Sequence, residues 1–120
     1  MTNTRMLLET GIGTDLQGKD FTKAAIRAVK NAMAQNSLLL FKSLELDKEN
    51  MHIRITLGVT KPKKVDVELV KKCLPHGIVS IITVPGGAYI ESNDNPTGSV
   101  VVCAGVEVFC DFQSLGQHSN

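Results

Sequence analysis

The last strand-like run of the chain constrains its fold more than any other feature. From residue 99 to residue 112, every even position is apolar: Val100, Val102, Ala104, Val106, Val108, Cys110 and Phe112. Because side chains alternate between the two faces of a strand, this run predicts one long strand with a continuous apolar face. Val101, Cys103 and Phe109 add apolar side chains to the opposite face. We therefore expect this strand inside a sheet, antiparallel to its neighbours.

Two segments are predicted to be helices. The first has apolar residues at helical spacing, at Phe21, Ala24, Ala25, Ala28, Val29, Ala32 and Met33. This stripe is typical of an amphipathic helix, and Asp20 stands before it as a candidate N-cap. A second helix is predicted to begin after Asp66 and to end near Pro75-His76-Gly77, because proline opposes continuation and glycine favours a helix end.

Three further segments are predicted to be strands. Arg5–Thr10 is predicted to be a short strand that ends at Gly11 and Gly13. Met51–Thr60 alternates strictly between apolar and polar residues. Ile78–Val84 is apolar at nearly every position, which is typical of a strand at the centre of a sheet. Leu38–Leu46 fits either a helical turn or a strand, and Asn93–Gly98 has the composition of a turn-rich loop.

The predicted order is β-α-β-α-β-β in one domain of 120 residues, with residues 1–4 and 113–120 frayed. The simplest packing is an α+β fold, a mixed four-stranded sheet with two helices on one face. Two helices leave the other face of the sheet without a cover. Since burying a valine or isoleucine side chain is worth about 1.5–3 kcal/mol, we expect copies of the chain to bury this face in a homo-oligomer.

Composition and charge exclude several classes of function. The chain has 13 Lys and Arg against 12 Asp and Glu, so it carries no charge excess of the kind that nucleic acids or membrane surfaces attract. We read the lysines between positions 61 and 72 as a solvated face. Three cysteines without a framework spacing indicate a reduced, cytosolic protein. His52, His76 and His118 lie far apart, so we expect no metal and no cofactor.

A glycine-rich segment precedes the first helix and is the strongest candidate for a site. It reads Gly11-Ile12-Gly13-Thr14-Asp15-Leu16-Gln17-Gly18. A loop at a helix N-terminus favours anions, but the phosphate-loop pattern fails here because Asp20 replaces the Ser or Thr that would bind magnesium. The alternative is structural: the glycines permit a sharp turn from strand to helix, and Asp15 accepts hydrogen bonds from its backbone.

The same segment resembles the hallmark G-x-G-x-D-x-H-G of the uncharacterised conserved hypothetical family Lin0512. Gly11, Gly13, Asp15 and Gly18 match that pattern, and Gln17 stands where the family has histidine. Further similar stretches lie at residues 58–59, 64–66, 74–77 and 86–87. The family has no established activity. Its element order is similar to that of the chorismate mutase-like fold, which implies a trimer with sites between subunits. The cyanuric acid and barbiturate amidohydrolases are a more distant analogy of fold.

Two hypotheses of function follow from the sequence. In the first, a small polar metabolite binds beside the glycine segment and Asp15 performs general acid or base catalysis. The ligand-binding residues are then expected to be Gly11, Gly13, Gln17, Gly18, His76, Gly86 and Gly87. In the second, the protein is a structural, non-catalytic oligomer and the glycine segment is only a tight turn. Both hypotheses predict self-association, with a trimer favoured, and no nucleic-acid or membrane partner.

Overall fold

The structure, a computed structural model, describes residues 3–17, 19–33, 51–74 and 78–111. Its elements in chain order are β1 (Asn3–Asp15), α1 (Phe21–Ala32), β2 (Met51–Val59), a 3₁₀ turn (Pro62–Lys64), α2 (Val67–Lys71), β3 (Ile78–Pro85), β4 (Ala88–Ser92) and β5 (Asn95–Asp111). These residues form two α-helices and one mixed sheet of five strands. The predicted α+β class is confirmed, with one strand more than the four expected.

The long strand β5 organises the sheet, whose order is β1-β5-β2-β3. One edge of β5, at residues 100–111, pairs with almost the whole length of β1. The other edge is shared, because residues 103–110 pair with β2 and residues 95–101 pair with β4. All three partners run antiparallel to β5, whereas β3 runs parallel to β2. The prediction that the last strand lies inside the sheet and antiparallel to its neighbours is therefore confirmed.

The core lies between the sheet and α1. The buried apolar residues are Phe21, Ala24, Ala25, Ala28, Val29 and Ala32 of α1, Ile53, Ile55, Leu57 and Val59 of β2, Val100, Val102, Ala104, Val106 and Val108 of β5, together with Val65 and Val70. The even positions of β5 from Val100 to Val108 face the helix, as the alternation predicts. We call this side of the sheet the covered face.

Both helices begin where the sequence predicts. A carboxylate oxygen of Asp20 accepts a hydrogen bond from the Lys23 N–H at 3.0 Å. Asp66 caps α2 in the same way, and its own N–H donates to the Thr22 hydroxyl at 2.9 Å, which ties α2 to α1. The second helix is shorter than predicted, since it ends at Lys71. The residues of the predicted helix end, 75–77, lie outside the described residues.

Two strand predictions were wrong. The first strand does not stop at Thr10: β1 continues to Asp15, because Gly11 and Gly13 pair with β5 opposite Ala104 and Val102. Ile78–Val84 is not a central strand. It belongs to β3, which lies beside β2 at the edge of the sheet that the described strands form.

The segment after β3 also differs from expectation. Residues 88–92 form β4, a strand that the sequence analysis did not predict, and it makes a hairpin with β5. The predicted turn-rich loop at Asn93–Gly98 shrinks to a turn at residues 93–94, since β5 already begins at Asn95. The ambiguous segment Leu38–Leu46 and residues 113–120 lie outside the described residues.

Candidate functional site

The glycines of the predicted site, Gly11 and Gly13, belong to the packing between β1 and α1. A Cβ atom on Gly11 would collide with the backbone of Ala28 and Ala32, and one on Gly13 would collide with the backbone of Ala24 and Ala28. Only residues without a side chain let a helix backbone approach a strand this closely. This contact accounts for both glycines without a ligand.

The backbone donors of these glycines are also directed into the sheet. The Ile12 N–H points away from β5 and donates to Asn31 Oδ1 at 2.9 Å. The Thr14 carbonyl likewise points outward and accepts from Arg27 Nη1 at 2.6 Å. Because successive residues of an antiparallel strand direct their backbone groups to alternate sides, the N–H groups of Gly11 and Gly13 face β5. This geometry favours the structural interpretation of the glycine segment over a ligand cradle.

Asp15 ends β1 and is buried. Its Oδ2 accepts a hydrogen bond from the Asp20 N–H at 2.9 Å, and its Oδ1 lies 4.0 Å from Arg27 Nη1. The carboxylate therefore closes the turn between β1 and α1, as the structural alternative expects. Gln17 is exposed beside it, while Gly18 lies outside the described residues, as does His76.

The turn is anchored to the hairpin of β4 and β5. Lys19 adopts a left-handed backbone conformation, φ 55°, and its ammonium lies 5.4 Å from the centroid of the Tyr89 ring. The hydrogen-bonding contact with Tyr89 raises the pKa of Lys19. On β5, the Ser99 hydroxyl donates to the Leu16 carbonyl at 3.0 Å. These contacts fix the position of the turn.

Gly86 and Gly87 carry the chain from β3 to β4. The Gly86 N–H donates to the Val59 carbonyl at 3.1 Å, and Gly87 has φ 65° with its Cα packed against the Val101 carbonyl. Both glycines therefore lie beside the edge of β5 that pairs with β4. Asp15 lies at the other edge of β5, which pairs with β1. The four described glycines of the predicted ligand site, Gly11, Gly13, Gly86 and Gly87, are divided between two edges of β5, and each has a local packing reason.

The second side of the sheet carries exposed apolar side chains. We call it the open face, since none of the described elements covers it. Its large apolar residues are 36–59% exposed and come from β1, β3 and β4: Leu8, Ile12, Ile82, Val84 and Ile90. The odd positions of β5 also lie here, with Cys103 exposed and Val101 and Phe109 half-buried. The prediction that Val101, Cys103 and Phe109 share an uncovered face is confirmed.

A shallow cavity of about 530 Å³ lies on the open face and extends past the outer edge of β1 to Asn31 of α1, and we call it the trough. Two rows of paired residues form its floor. In the first, Gly105 of β5 lies between Thr10 of β1 and Thr56 of β2. The second row runs Ile12, Cys103, Gly58 and Val84 across the four strands. Sequence reasoning missed this cavity, although Gly58 and Gly105, two glycines inside alternating strands, were a signal for it.

A compact ion cluster lies next to the trough on the open face. Glu107 accepts hydrogen bonds from Arg54 Nε at 2.9 Å and from Arg5 Nη1 at 3.2 Å. The Arg54 guanidinium also lies 5.0 Å from the Phe109 ring. Hydrogen bonding from Arg54 lowers the pKa of Glu107, and the same bond raises the pKa of Arg54. Two arginines thus share one carboxylate at this end of the face.

The described ranges hold no group of three or more His, Cys, Asp or Glu placed to bind a metal ion. Among the helices they contain, none has the length and apolar character that crossing a membrane requires. Cys73 and Cys103 are free thiols.

Comparison with known proteins agrees with this arrangement. Residues 5–108 match the family described as Conserved hypothetical protein (Lin0512_fam). The chain belongs to this family. The match extends from β1 into β5, so it includes both the Asp15 turn and the trough. The resemblance proposed from the glycine segment is therefore confirmed at the level of the family.

A solved structure is also similar to this Lin0512 chain. It is described as an FtsZ-like protein of unknown function from Nostoc punctiforme PCC 73102, with a TM-score of 0.79 and 31% sequence identity. The similarity covers 92% of this chain and 98% of that one. A comparison with the curated proteins found no match.

Proposed function

We propose that the protein works as a homo-oligomer in which copies of the chain bury their open faces against one another. The exposed apolar side chains of that face carry the proposal. Isoleucine side chains from three strands, Ile12 of β1, Ile82 of β3 and Ile90 of β4, share this face with more than half of their surface in solvent. Large exposed apolar areas are typical of interfaces between subunits, whereas soluble monomers rarely keep them.

The dimensions of the open face suit a stable interface. Four strands at a spacing of about 4.8 Å, followed over 11 residues of β5, present about 700 Å². Stable protein interfaces bury about 800 Å² on each partner. Its charged cluster does not oppose burial, because Glu107 already neutralises part of the charge of Arg5 and Arg54. A net charge of only +1 also leaves little repulsion between copies.

A second copy of the same chain is the partner we favour, because symmetric homo-oligomers are the commonest assemblies of soluble proteins. We propose three copies, since the resemblance to the chorismate mutase-like fold implies a trimer. In this proposal the turn at Asp15 holds β1, α1 and β5 in register, and the open face is the functional surface.

Substitution of one open-face residue tests the proposal. Ile12→Asp places a carboxylate in the interface, so we expect sedimentation velocity to show a shift from the oligomer to the 13.0 kDa chain. Leu69→Asp is the matched control, because Leu69 is also exposed but lies on α2, on the covered side of the sheet. Equal sedimentation of both variants and the parent chain would overturn the proposal.

A second candidate function is supported by Asp15. This carboxylate is buried, its Oδ2 accepts the Asp20 N–H, and its Oδ1 lies 4.0 Å from Arg27 Nη1. In this alternative a small polar metabolite approaches Oδ1 past Gln17, and Asp15 transfers a proton to or from it.

The replacements Asp15→Asn and Asp15→Ala separate the two candidates, with hydantoin and succinimide as cyclic-amide probes. A ligand site predicts that the thermal shift caused by the probes is lost in both variants. A structural role predicts that the probes cause no shift in the parent chain. It also predicts that Asp15→Ala melts lower, while Asp15→Asn, which keeps an acceptor for the Asp20 N–H, loses less stability.

A further inference from the structure

The glycines of the described residues fall into two groups. Five are explained by the chain itself, since an added Cβ would come within about 3 Å of other atoms: Gly11, Gly13, Gly86, Gly87 and Gly98. The other two are not explained in this way. A Cβ on Gly105 would meet nothing within 4 Å, and one on Gly58 would make only ordinary contacts at 3.6–3.8 Å. Neither has a positive φ. Glycine weakens a strand, so glycine at these two positions indicates that a ligand or another chain approaches the backbone there.

Both unexplained glycines form the floor of the trough. We propose that the trough binds a flat, uncharged ring that carries hydrogen-bonding groups at two opposite edges. The ring lies on the bare peptide plane at Gly105, which it can approach to van der Waals distance because no Cβ intervenes. Gly58 borders the ring, between Gly105 and the backbone of Gly86 and Gly87. The proposal rests on the proposed function in one respect, since a second copy closes over the trough and removes the ring from solvent.

The hydroxyl groups of the trough are placed for the edges of such a ring. Thr10 and Thr56 both pair with Gly105, one from each side. Their Cα atoms are therefore two strand spacings apart, about 10 Å, with the bare backbone of Gly105 between them. Side chains stand roughly perpendicular to a sheet, so the two hydroxyls flank a gap of about the width of a six-membered ring. Neither hydroxyl has a hydrogen-bond partner within the described part of the chain.

Size and polarity agree with this class of ligand. A volume of about 530 Å³ lies within the usual range for small-molecule pockets. The walls are the aliphatic side chains of Ile12 and Val84, and Cys103 lies between them. Apolar walls with a few polar groups are typical of sites that orient a small organic molecule.

The distribution of charge around the trough favours an uncharged ligand over an ionised one. The nearest ionic groups on the open face are Glu107 and Arg54, one row away from Gly105, and they are bonded to each other. The described residues that line the trough include no Asp, Glu, Lys, Arg or His, so an ionised ligand would lose its hydration there without gaining a counter-charge inside the trough. An uncharged ring bears no such cost.

Two probes with the same functional groups test the shape requirement. 4-Hydroxybenzamide is flat, whereas trans-4-hydroxycyclohexanecarboxamide has the same groups on a puckered ring. We expect the flat probe to shift the amide resonances of Thr10, Thr56 and Gly105 in the ¹⁵N-labelled full chain. We expect the puckered probe to bind about tenfold more weakly. The proposal is overturned if neither probe moves these resonances, or if both move them equally.

Variants of the floor and of one edge test the position of the site. Gly105→Val places a branched side chain in the trough, and its Cβ would meet no atom of the described chain within 4 Å, so it should weaken binding of the flat probe about tenfold or more. Thr10→Val keeps the shape but removes one hydroxyl, and a loss of a few-fold is expected. Thr60→Val, an exposed site beyond the end of β2, is the control and should bind as the parent does. Unchanged binding to Gly105→Val would contradict the proposal.

The same samples distinguish this proposal from the proposed function. If the chain sediments at 13.0 kDa but Gly105→Val abolishes binding, the trough site stands and its closure by a second copy is wrong. If the chain is oligomeric and Gly105→Val changes its mass while no probe binds, a side chain of the second copy fills the trough. That result overturns the ligand site and supports the oligomer.

Discussion

The two faces of the same sheet differ in what packs against them. On the covered face, Gly11 and Gly13 admit the backbone of α1, and the side chains of β2 and β5 are almost completely buried. On the open face, a Cβ on Gly105 would meet no part of the described chain and one on Gly58 would make only ordinary contacts, while the apolar side chains around them are exposed. Both faces therefore have an apolar surface and glycines that permit close approach, but the described chain supplies a partner for only one. This contrast is the reason for placing function on the open face.

The largest expected effect comes from equal truncations on the two faces. Ile55 is fully buried on the covered face, and Ile82 is 51% exposed on the open face. Ile55→Ala should lower the free energy of unfolding by about 2–5 kcal/mol, because it leaves a cavity in the core. Ile82→Ala should cost less than about 1 kcal/mol in dilute samples and should weaken the oligomer instead.

Urea denaturation at two protein concentrations measures both effects. The comparison fails if Ile82→Ala is as destabilising as Ile55→Ala at low concentration, since that would mean that both faces are already buried within one chain.

A smaller but more specific contrast is expected between the glycines. Gly13→Ala forces a methyl group into the backbone of α1, so it should destabilise the fold by about 1–3 kcal/mol. Gly105→Ala meets no atom of the chain and removes a flexible residue from a strand. It should therefore be neutral or stabilising by about 0.4–1 kcal/mol. Thermal unfolding of the two single variants gives the comparison, and a loss of stability in Gly105→Ala at low concentration would contradict it.

The smallest expected effect concerns the ion cluster on the open face. The folded-state pKa of Glu107 is lower than its ordinary value, mainly because Arg54 donates hydrogen bonds to the carboxylate. The stability that this pair contributes is therefore present above the unfolded-state pKa of about 4.3 and is lost as the pH falls through the lower folded-state value. Glu107→Gln should flatten the dependence of stability on pH in that acidic range. Arg54→Gln should flatten it as well, while Arg27→Gln, on the covered side, should leave the contribution of Glu107 in place.

Much of the fold was predictable because its signals are local. The apolar stripe from Phe21, the alternation of β2 and the even positions of β5 each specify an element through its own periodicity. The caps at Asp20 and Asp66 were predictable for the same reason, since a cap depends on residues two or three positions away.

The failures concern features that depend on distant partners. Gly11 and Gly13 were interpreted as breaks because glycine is ambiguous between a turn and a close contact. The helix that decides between these alternatives begins eight residues after Gly13. The signal that would have resolved them is the run of alanines at 24, 28 and 32, small residues on the helix face that meets the glycines.

The same dependence explains the errors at β3 and at the trough. Ile78–Val84 is apolar on both faces, which usually marks a central strand. Among the described strands β3 lies at the edge of the sheet, and its second apolar side belongs to the open face. The trough depends on the register that brings Thr10, Gly105 and Thr56 into one row, and no local pattern in the sequence fixes that register.

The mass of the unmodified chain in solution tests the central claim most directly. Light scattering across micromolar concentrations should give a multiple of 13.0 kDa, with three copies expected, and the melting temperature should rise with concentration. A mass of 13.0 kDa at every concentration, with a melting temperature that does not change, would contradict the claim that the open face is buried between copies of this chain.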